Sequence, residues 1–309
     1  MHMRILIALG GNALISENAE RTYEAQFNVA RQAMAKLNGI LQDNEVVVTH
    51  GNGPQVGDIL LRNEQPADGV PAMPLHACGS MSQGLISEII SNAYNSVTKT
   101  GKQIVSVFSR SLVSADDPAF ASPSKPIGRF YKENEARGLA EKYHWSLVNS
   151  KNGTWRRVVP SPMPLRILEE NAVLELLRNK FIPISAGGGG TPVIERNGMI
   201  EGVEAVIDKD LASSVLAKGI GCQKLIILTD VKGAYRNYGT PESELIGRIT
   251  VSEAEELSRR GEFGSGSMGP KVRASVLFIR GGGKEAVIAS LDDAAEAVSG
   301  RSGTVIVPD

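Results

Sequence analysis

Four consecutive glycines, Gly187 to Gly190, follow the apolar run Phe181-Ile182-Pro183-Ile184 and precede Thr191-Pro192. Such a run leaves no side chain between main chain and ligand. It also allows positive φ, so several N–H groups can converge on one anion. Polyglycine is otherwise a slack linker, but slack between two strand-like segments would interrupt a core. Asp208-Lys209-Asp210 then opens a helix. Lys209 can neutralise phosphate oxygens. One aspartate can hold that lysine, and the other falls in the first helical turn, where carboxylates are favoured. The alternative is a solvated, well-capped helix start. Taken together, these pieces point to phosphoryl chemistry.

Lys271 stands just inside a helix, behind the loop Ser265-Gly266-Ser267-Met268-Gly269. A helix N-terminus offers free N–H groups and a favourable dipole to a phosphate. Alone, Lys271 is a surface lysine after a loop. With Lys209 and Asp230 in the same half of the chain, it reads as a nucleotide phosphate contact. Two dinucleotide-like patterns, Gly51-x-Gly53-x-x-x-Gly57 and Gly264-x-Gly266-x-x-Gly269, are weak. No acidic residue ends a strand about twenty residues further on, as ribose binding requires. The G-x-x-x-x-G-K-[ST] loop is absent, since Pro270 precedes Lys271 and Val272 follows.

The elements that must position these residues alternate between the two periodicities. Strands are expected at Arg4–Leu9, Glu45–Thr49, Gln103–Phe108, Phe181–Ile184, Lys224–Leu228, Glu285–Ala289 and Gly303–Val307. Helices are expected at Thr22–Leu41, Gln55–Arg62, Met81–Val97, Arg166–Arg178, Asp210–Lys218 and Gly269–Ile279. A further helix at Val251–Arg259 has Ser252 as its expected cap, with Glu255 three residues on. Asn197-Gly198 marks a hairpin. Residues 119–164 have poor periodicity and many Pro, Lys, Arg and aromatic residues, and read as an excursion. Alternating strands and helices imply a largely parallel sheet covered on both faces. Four strands end in Gly10-Gly11-Asn12, Gly51-Asn52-Gly53, Gly187 to Gly190, and Thr229-Asp230. Ligands bind at such carboxyl ends, so these four should face one crevice.

Composition narrows the class. The 309 residues are 42% hydrophobic and 22% charged with a net charge of −1, so no bulk field favours nucleic acid or a membrane surface. No apolar run reaches the length of a membrane span. Cys78 and Cys222 show no metal spacing and lie in apolar surroundings, as free thiols of a reducing cytosol would. The four histidines, His2, His50, His76 and His144, form no recognisable metal-ligand set.

Several longer stretches carry a resemblance. They are Leu9-Gly10-Gly11-Asn12, Thr49 to Gly57 (THGNGPQVG), Met81-Ser82-Gln83-Gly84, Lys125-Pro126-Ile127-Gly128 and Trp155 to Pro162 (WRRVVPSP). Gly187 to Gly190, Gly202 to Asp210 (GVEAVIDKD), Leu228-Thr229-Asp230-Val231 and Gly266 to Lys271 (GSMGPK) complete the set. In this order, over nearly the whole chain, they resemble the carbamate kinases of the amino-acid-kinase superfamily. The resemblance implies an α/β fold: an open, mainly parallel sheet of about eight strands sandwiched by helices, with a small protruding subdomain. It implies one domain over 1–309, with residues 1–200 as the acceptor lobe, 119–164 as the protruding lid, and 201–309 as the ATP lobe. The activity implied is reversible phosphoryl transfer between ATP and carbamate, giving ADP and carbamoyl phosphate. The expected setting is ATP synthesis in arginine breakdown, in a cytoplasmic homodimer.

The resemblance also implies roles. Lys125, Lys209 and Lys271 would meet the transferring phosphoryl group, and Asp210 would orient the lysines. Gly10, Gly11, Asn12, Gly51, Asn52, Gly187, Gly188 and Gly189 would surround the acceptor. Lys209, Asp230, Ala234, Tyr238, Met268 and Lys271 would bind ATP, with Mg²⁺ carried by the nucleotide and no protein metal site. Ala8 stands where many amino-acid kinases have a lysine, and Lys125 would replace that charge. His76 and Ser265 depart from the expected acidic residue and proline. Prolines at both edges of 119–164 suit a rigid body that closes over bound substrates. Two alternatives stay open: a related kinase with another small anionic acceptor, and a nucleotide sensor without turnover.

Overall fold

The central strands are written in branched apolar residues, RILIAL at Arg4–Leu9, EVVVTH at Glu45–His50 and KLIILT at Lys224–Thr229. Their middles are buried on both faces, the pattern of strands inside a covered parallel sheet. In the computed structural model, which describes residues 3–11, 20–64, 69–150, 153–264 and 267–309, these strands belong to one eight-stranded sheet. In spatial order its strands are Arg248–Thr250, Thr304–Val307, Glu285–Ser290, Lys224–Thr229, Arg4–Leu9, Glu45–His50, Ile182–Ile184 and Ile104–Ser106. Neighbours run parallel except for Glu285–Ser290 against Thr304–Val307.

Alternate residues of each strand feed two cores. Leu6, Ala8, Leu225, Ile227, Ala286 and Ile288 pack with the helices Glu170–Arg178, Lys209–Gly219, Val251–Arg259 and Met268–Arg280. Ile5, Ile7, Val46, Ile226 and Val287 pack with Tyr23–Asp43, Leu75–Val97 and Ala294–Val298. The expected α/β sandwich is therefore observed. The thiols of Cys78 and Cys222 are free and buried, and burial pushes Cys222 up to about 12.

Residues 119–164 are more regular than their sequence predicts. Lys125–Tyr131, Trp155–Val159 and Ser146–Asn149 form a three-stranded antiparallel sheet, with a helix at Glu133–Tyr143. Periodicity fails there because aromatic rings are covered by guanidinium groups. Arg129 lies 4.4 Å from the Tyr131 ring, Arg157 4.8 Å from Trp145 and Arg156 4.9 Å from Phe130. The subdomain is docked on the body. Ile127 and Val159 share an apolar cluster with Val56, Leu60, Leu75 and Cys78, and the Tyr131 hydroxyl donates to Glu64 at 2.5 Å.

Two other expectations shift, and a third is met. Pro164–Ile167 is a strand against Arg110–Val113, in a separate four-stranded sheet, so the helix expected from Arg166 starts at Glu170. The helix expected from Met81 starts at Leu75, whose N–H is accepted by Glu204 Oε1 at 2.7 Å. The hairpin at Asn197-Gly198 forms between Thr191–Arg196 and Met199–Gly202.

Thr250 caps the Val251–Arg259 helix, in place of the expected Ser252. Its hydroxyl accepts from Glu253 N, and the Glu253 carboxylate accepts from Thr250 N. Thr250→Ala should therefore lower unfolding free energy by about 1 kcal/mol. In urea titrations, Ser252→Ala should cost clearly less.

Candidate active site

The four strand ends expected to face one crevice are neighbours, but they divide between two spaces. Lys224–Thr229, Arg4–Leu9, Glu45–His50 and Ile182–Ile184 lie side by side and parallel. Each hands its chain to a loop at the same edge: Thr229-Asp230, Gly10-Gly11, Gly51-Asn52 and Gly187 to Gly190. Gly10 N donates to Leu228 O at 2.9 Å, and Gly51 N to Leu9 O at 3.1 Å, so the first loops stay in register with the sheet.

The glycine run folds into a tight one-turn helix, with Gly189 N donating to Ala186 O and Gly190 N to Gly187 O, both at 3.0 Å. Gly188 and Gly189 have φ of 63° and 92°, which L-residues rarely adopt. A side chain at Gly189 would also start 2.5 Å from the Ile207 carbonyl oxygen. The sequence Ala205-Val206-Ile207 thus lies against the nest and leads into the charged helix start.

There Asp208 is the N-cap, its Oδ1 accepting from Asp210 N at 2.9 Å and Leu211 N at 3.3 Å. Asp210, in the first turn, bridges two lysines. Lys209 Nζ donates to its Oδ1 at 2.5 Å, and Lys271 Nζ to its Oδ2 at 3.1 Å. All three side chains are nearly buried, at 14%, 9% and 4% exposure for Lys209, Lys271 and Asp210. Burial pulls Lys209 below the ordinary lysine range; Asp210 opposes the shift and Lys271 adds to it. Burial alone would raise the Asp210 carboxyl, but the two ammonium groups overcome it and hold it below its ordinary value. Two cations on one anion leave a net positive site, suited to an incoming anion.

A cavity of about 320 Å³ opens beside this cluster. Gly10, Gly11, Lys209, Asp230 and Lys271 line it, and all five were singled out by sequence. Gly51 is within reach as well, since a Cβ built there would lie 3.4 Å from the Lys209 chain. Asn52, Gly187 and Gly188 border a second space of about 20 Å³ behind the nest, closed by Val56, Leu75 and Val206. Lys125 extends from the subdomain to Asp208, its Nζ 3.0 Å from Oδ2, and lines neither space. Three expected nucleotide contacts do not line the larger cavity. Ala234 is buried with its N–H donating to Thr304, Tyr238 is 67% exposed beside Tyr235, and Met268 packs against the core. Asn12 lies outside the described residues.

Sequence reasoning missed Ser290 and Asp292 on the cavity wall, whereas Thr229 belongs to a strand end expected there and Ser267 to the loop before Lys271. Ser290 ends a strand in register with Thr229, so the strand-end rule extends to it. It also missed His50, fully buried at the end of its strand. The His50 Nδ1 lies 3.0 Å from the Gly51 carbonyl oxygen, so Nδ1 carries the proton, and Nε2 faces Gly187. Burial lowers its pKa to about 4 against the Gly51 contact, and the Lys209 charge lowers it further. The imidazole is therefore neutral at physiological pH and adds no third cation.

Known proteins resemble this chain in sequence and in fold over nearly their whole length. The family description "Amino acid kinase family" matches residues 3–290. A carbamate kinase of Thermoplasma volcanium is 48% identical over 99% of this chain and 100% of its own. Another, of Thermoplasma acidophilum, is 49% identical over 98% of this chain and 99% of its own. The solved structure of a Giardia lamblia carbamate kinase bound to AMP-PNP superposes with a TM-score of 0.94, at 42% identity over 100% of this chain and 99% of that one.

The buried triad has a signature in pH. The folded-state pKa of Asp210 lies below its ordinary 3.8, so its contribution is present above about pH 4 and lost as pH falls through the folded value. Asp210→Asn leaves two buried ammonium groups without a counter-charge, a loss of about 3 kcal/mol at pH 7. That deficit should shrink at alkaline pH, where Lys209, held below its ordinary value, discharges. Denaturant titrations of both proteins across this range check it, and a constant deficit would locate the stabilisation elsewhere.

Proposed function

The chain belongs to the amino acid kinase family, and we propose that it transfers the terminal phosphoryl group of ATP reversibly to carbamate, giving ADP and carbamoyl phosphate. The observation that carries this reading is the Lys209–Asp210–Lys271 cluster, set between the glycine turn and a cavity of about 320 Å³. Full-length relatives named as carbamate kinases, one of them solved with an ATP analogue, support the same substrate pair.

Phosphoryl transfer asks for alignment and charge neutralisation more than for covalent chemistry. In this reading, Lys209 and Lys271 receive the charge that spreads over the migrating phosphoryl oxygens, and Asp210 keeps both ammonium groups aimed. Lys125 approaches from the subdomain. Gly10, Gly11, Asn12, Gly51, Asn52 and Gly187 to Gly189 surround the acceptor, while Asp230 and Lys271 meet the nucleotide. Carbamate is already an anion, so its oxygen attacks without a general base, which fits a site whose buried imidazole is neutral.

Magnesium fits as a passenger on the nucleotide. Asp230 and Asp292, on the cavity wall, are the carboxylates that could touch it. When bound it supplies further neutralisation of the phosphate oxygens.

The lobe assignment follows from these roles: residues 1–200 hold the acceptor, with 119–164 as a lid, and 201–309 hold ATP. The enzyme works as a cytoplasmic homodimer in the direction of ATP synthesis, fed by carbamoyl phosphate from arginine breakdown. No helix among the described residues is long and apolar enough to cross a membrane.

A coupled assay supplied with ADP and carbamoyl phosphate should show ATP appearing; no ATP would overturn the reading. In that assay Lys125→Ala, Lys209→Ala and Lys271→Ala should each lower kcat by about 100-fold or more, the scale of one preorganised transition-state donor. Near-normal turnover in Lys209→Ala would remove that residue from the mechanism.

A further inference from the structure

Lys125 is the one lysine of the proposed set that Asp210 does not hold. Its ammonium sits on Asp208, 83 residues away in sequence, at 3.0 Å. The two partners are unequal. The Asp208 side chain is 14% exposed, and its other oxygen is fixed by two main-chain N–H groups. The Lys125 side chain is 41% exposed on a long, flexible stem. The aspartate is therefore the fixed member and the lysine the one that is placed.

The main chain around Lys125 does not need this contact. Lys125 pairs with Val159 in the subdomain sheet, and Val206 N donates to Pro160 O at 3.0 Å, joining that sheet to the approach of the charged helix. The far end of the Lys125 strand is tied through Tyr131 to Glu64. What these bonds leave undetermined is the direction of the Lys125 side chain. Left free, four rotatable bonds would spread the ammonium over solvent.

We propose that Asp208 is a positioning residue for transfer. It aims Lys125 at the phosphoryl site while capping the helix that carries Lys209 and Asp210. One carboxylate thereby couples the subdomain to the catalytic helix, with one oxygen serving each. The inference rests on the phosphoryl-transfer reading above.

Asparagine separates the two duties of Asp208, because it caps helices as well as aspartate does but carries no charge. The experiment measures kcat and KM for ADP and carbamoyl phosphate, with melting temperature, in wild type, Asp208→Asn, Lys125→Ala and the double variant. Asp208→Asn should lower kcat about tenfold, since modest misplacement of a transition-state donor costs up to about 100-fold. KM and melting temperature should stay near wild type. In the Lys125→Ala background the same substitution should cost nothing more.

Three results overturn the proposal. An unchanged or faster Asp208→Asn would mean that the carboxylate idles or restrains Lys125. An equal loss in the Lys125→Ala background would mean that it acts through the helix alone. A lowered melting temperature that accounts for the loss of activity would do the same. Wild type that forms no ATP in this assay defeats the phosphoryl-transfer reading and this inference with it. Active wild type with any of the three results defeats only the inference.

Discussion

One carboxylate serving two ammonium groups out of water is the constraint on which the site depends. Asp210 could not stay ionised at 4% side-chain exposure without both lysines, and two buried lysines could not stay charged side by side without it. The arrangement needs two helices brought together with little tolerance. Lys209 and Asp210 start one at Lys209–Gly219; Lys271 lies in the first turn of another at Met268–Arg280. Leu211, Ala212, Leu216, Val272, Ala274 and Val276 place both helices in one apolar core, so the hydrophobic packing sets the distance that the charges require. The result is a positive site whose cations are held by a group that does not compete for space with a ligand.

The sheet does the corresponding work for the main chain. Strand middles are locked by parallel neighbours, while their carboxyl ends are free to diverge into loops. Four adjacent ends converge here, and two of them turn on glycine where a side chain would strike neighbouring backbone: Gly10 at 2.8 Å from Leu228 O, and Gly189 at 2.5 Å from Ile207 O. Bare backbone is thus required twice over, by the packing of the loops and by the approach of a charged ligand.

Much of this is local, and what is local was legible. The central strands, the glycine turn, the Asn197-Gly198 hairpin and the charged helix start each follow from a few adjacent residues. What escaped depends on partners far along the chain. The helix at Leu75 begins six residues before its sequence pattern implies, because its first N–H is met by Glu204. The subdomain looked irregular because arginines take the place of aliphatic partners for its rings. Thr250 was passed over for Ser252, although Glu253 stands three residues after it. His50 carried no signal, because a buried neutral imidazole and a catalytic one look alike in sequence.

Asp208-Lys209-Asp210 shows how three adjacent residues can face three structures. At a helix start, the N-cap side chain folds back over the first turn, whereas the next residues already follow the helical screw. Asp208 therefore turns toward the subdomain, Lys209 toward the strand ends and Asp210 toward the neighbouring helix. Sliding this triplet by one position would exchange these directions and bury an ammonium group where a carboxylate now stands. The triplet is tied to its register by the cap itself, since Asp208 Oδ1 binds the N–H groups of Asp210 and Leu211. Subdomain, glycine loops and cavity are thus referred to a single helix end, and movement of that end would be felt by all three at once.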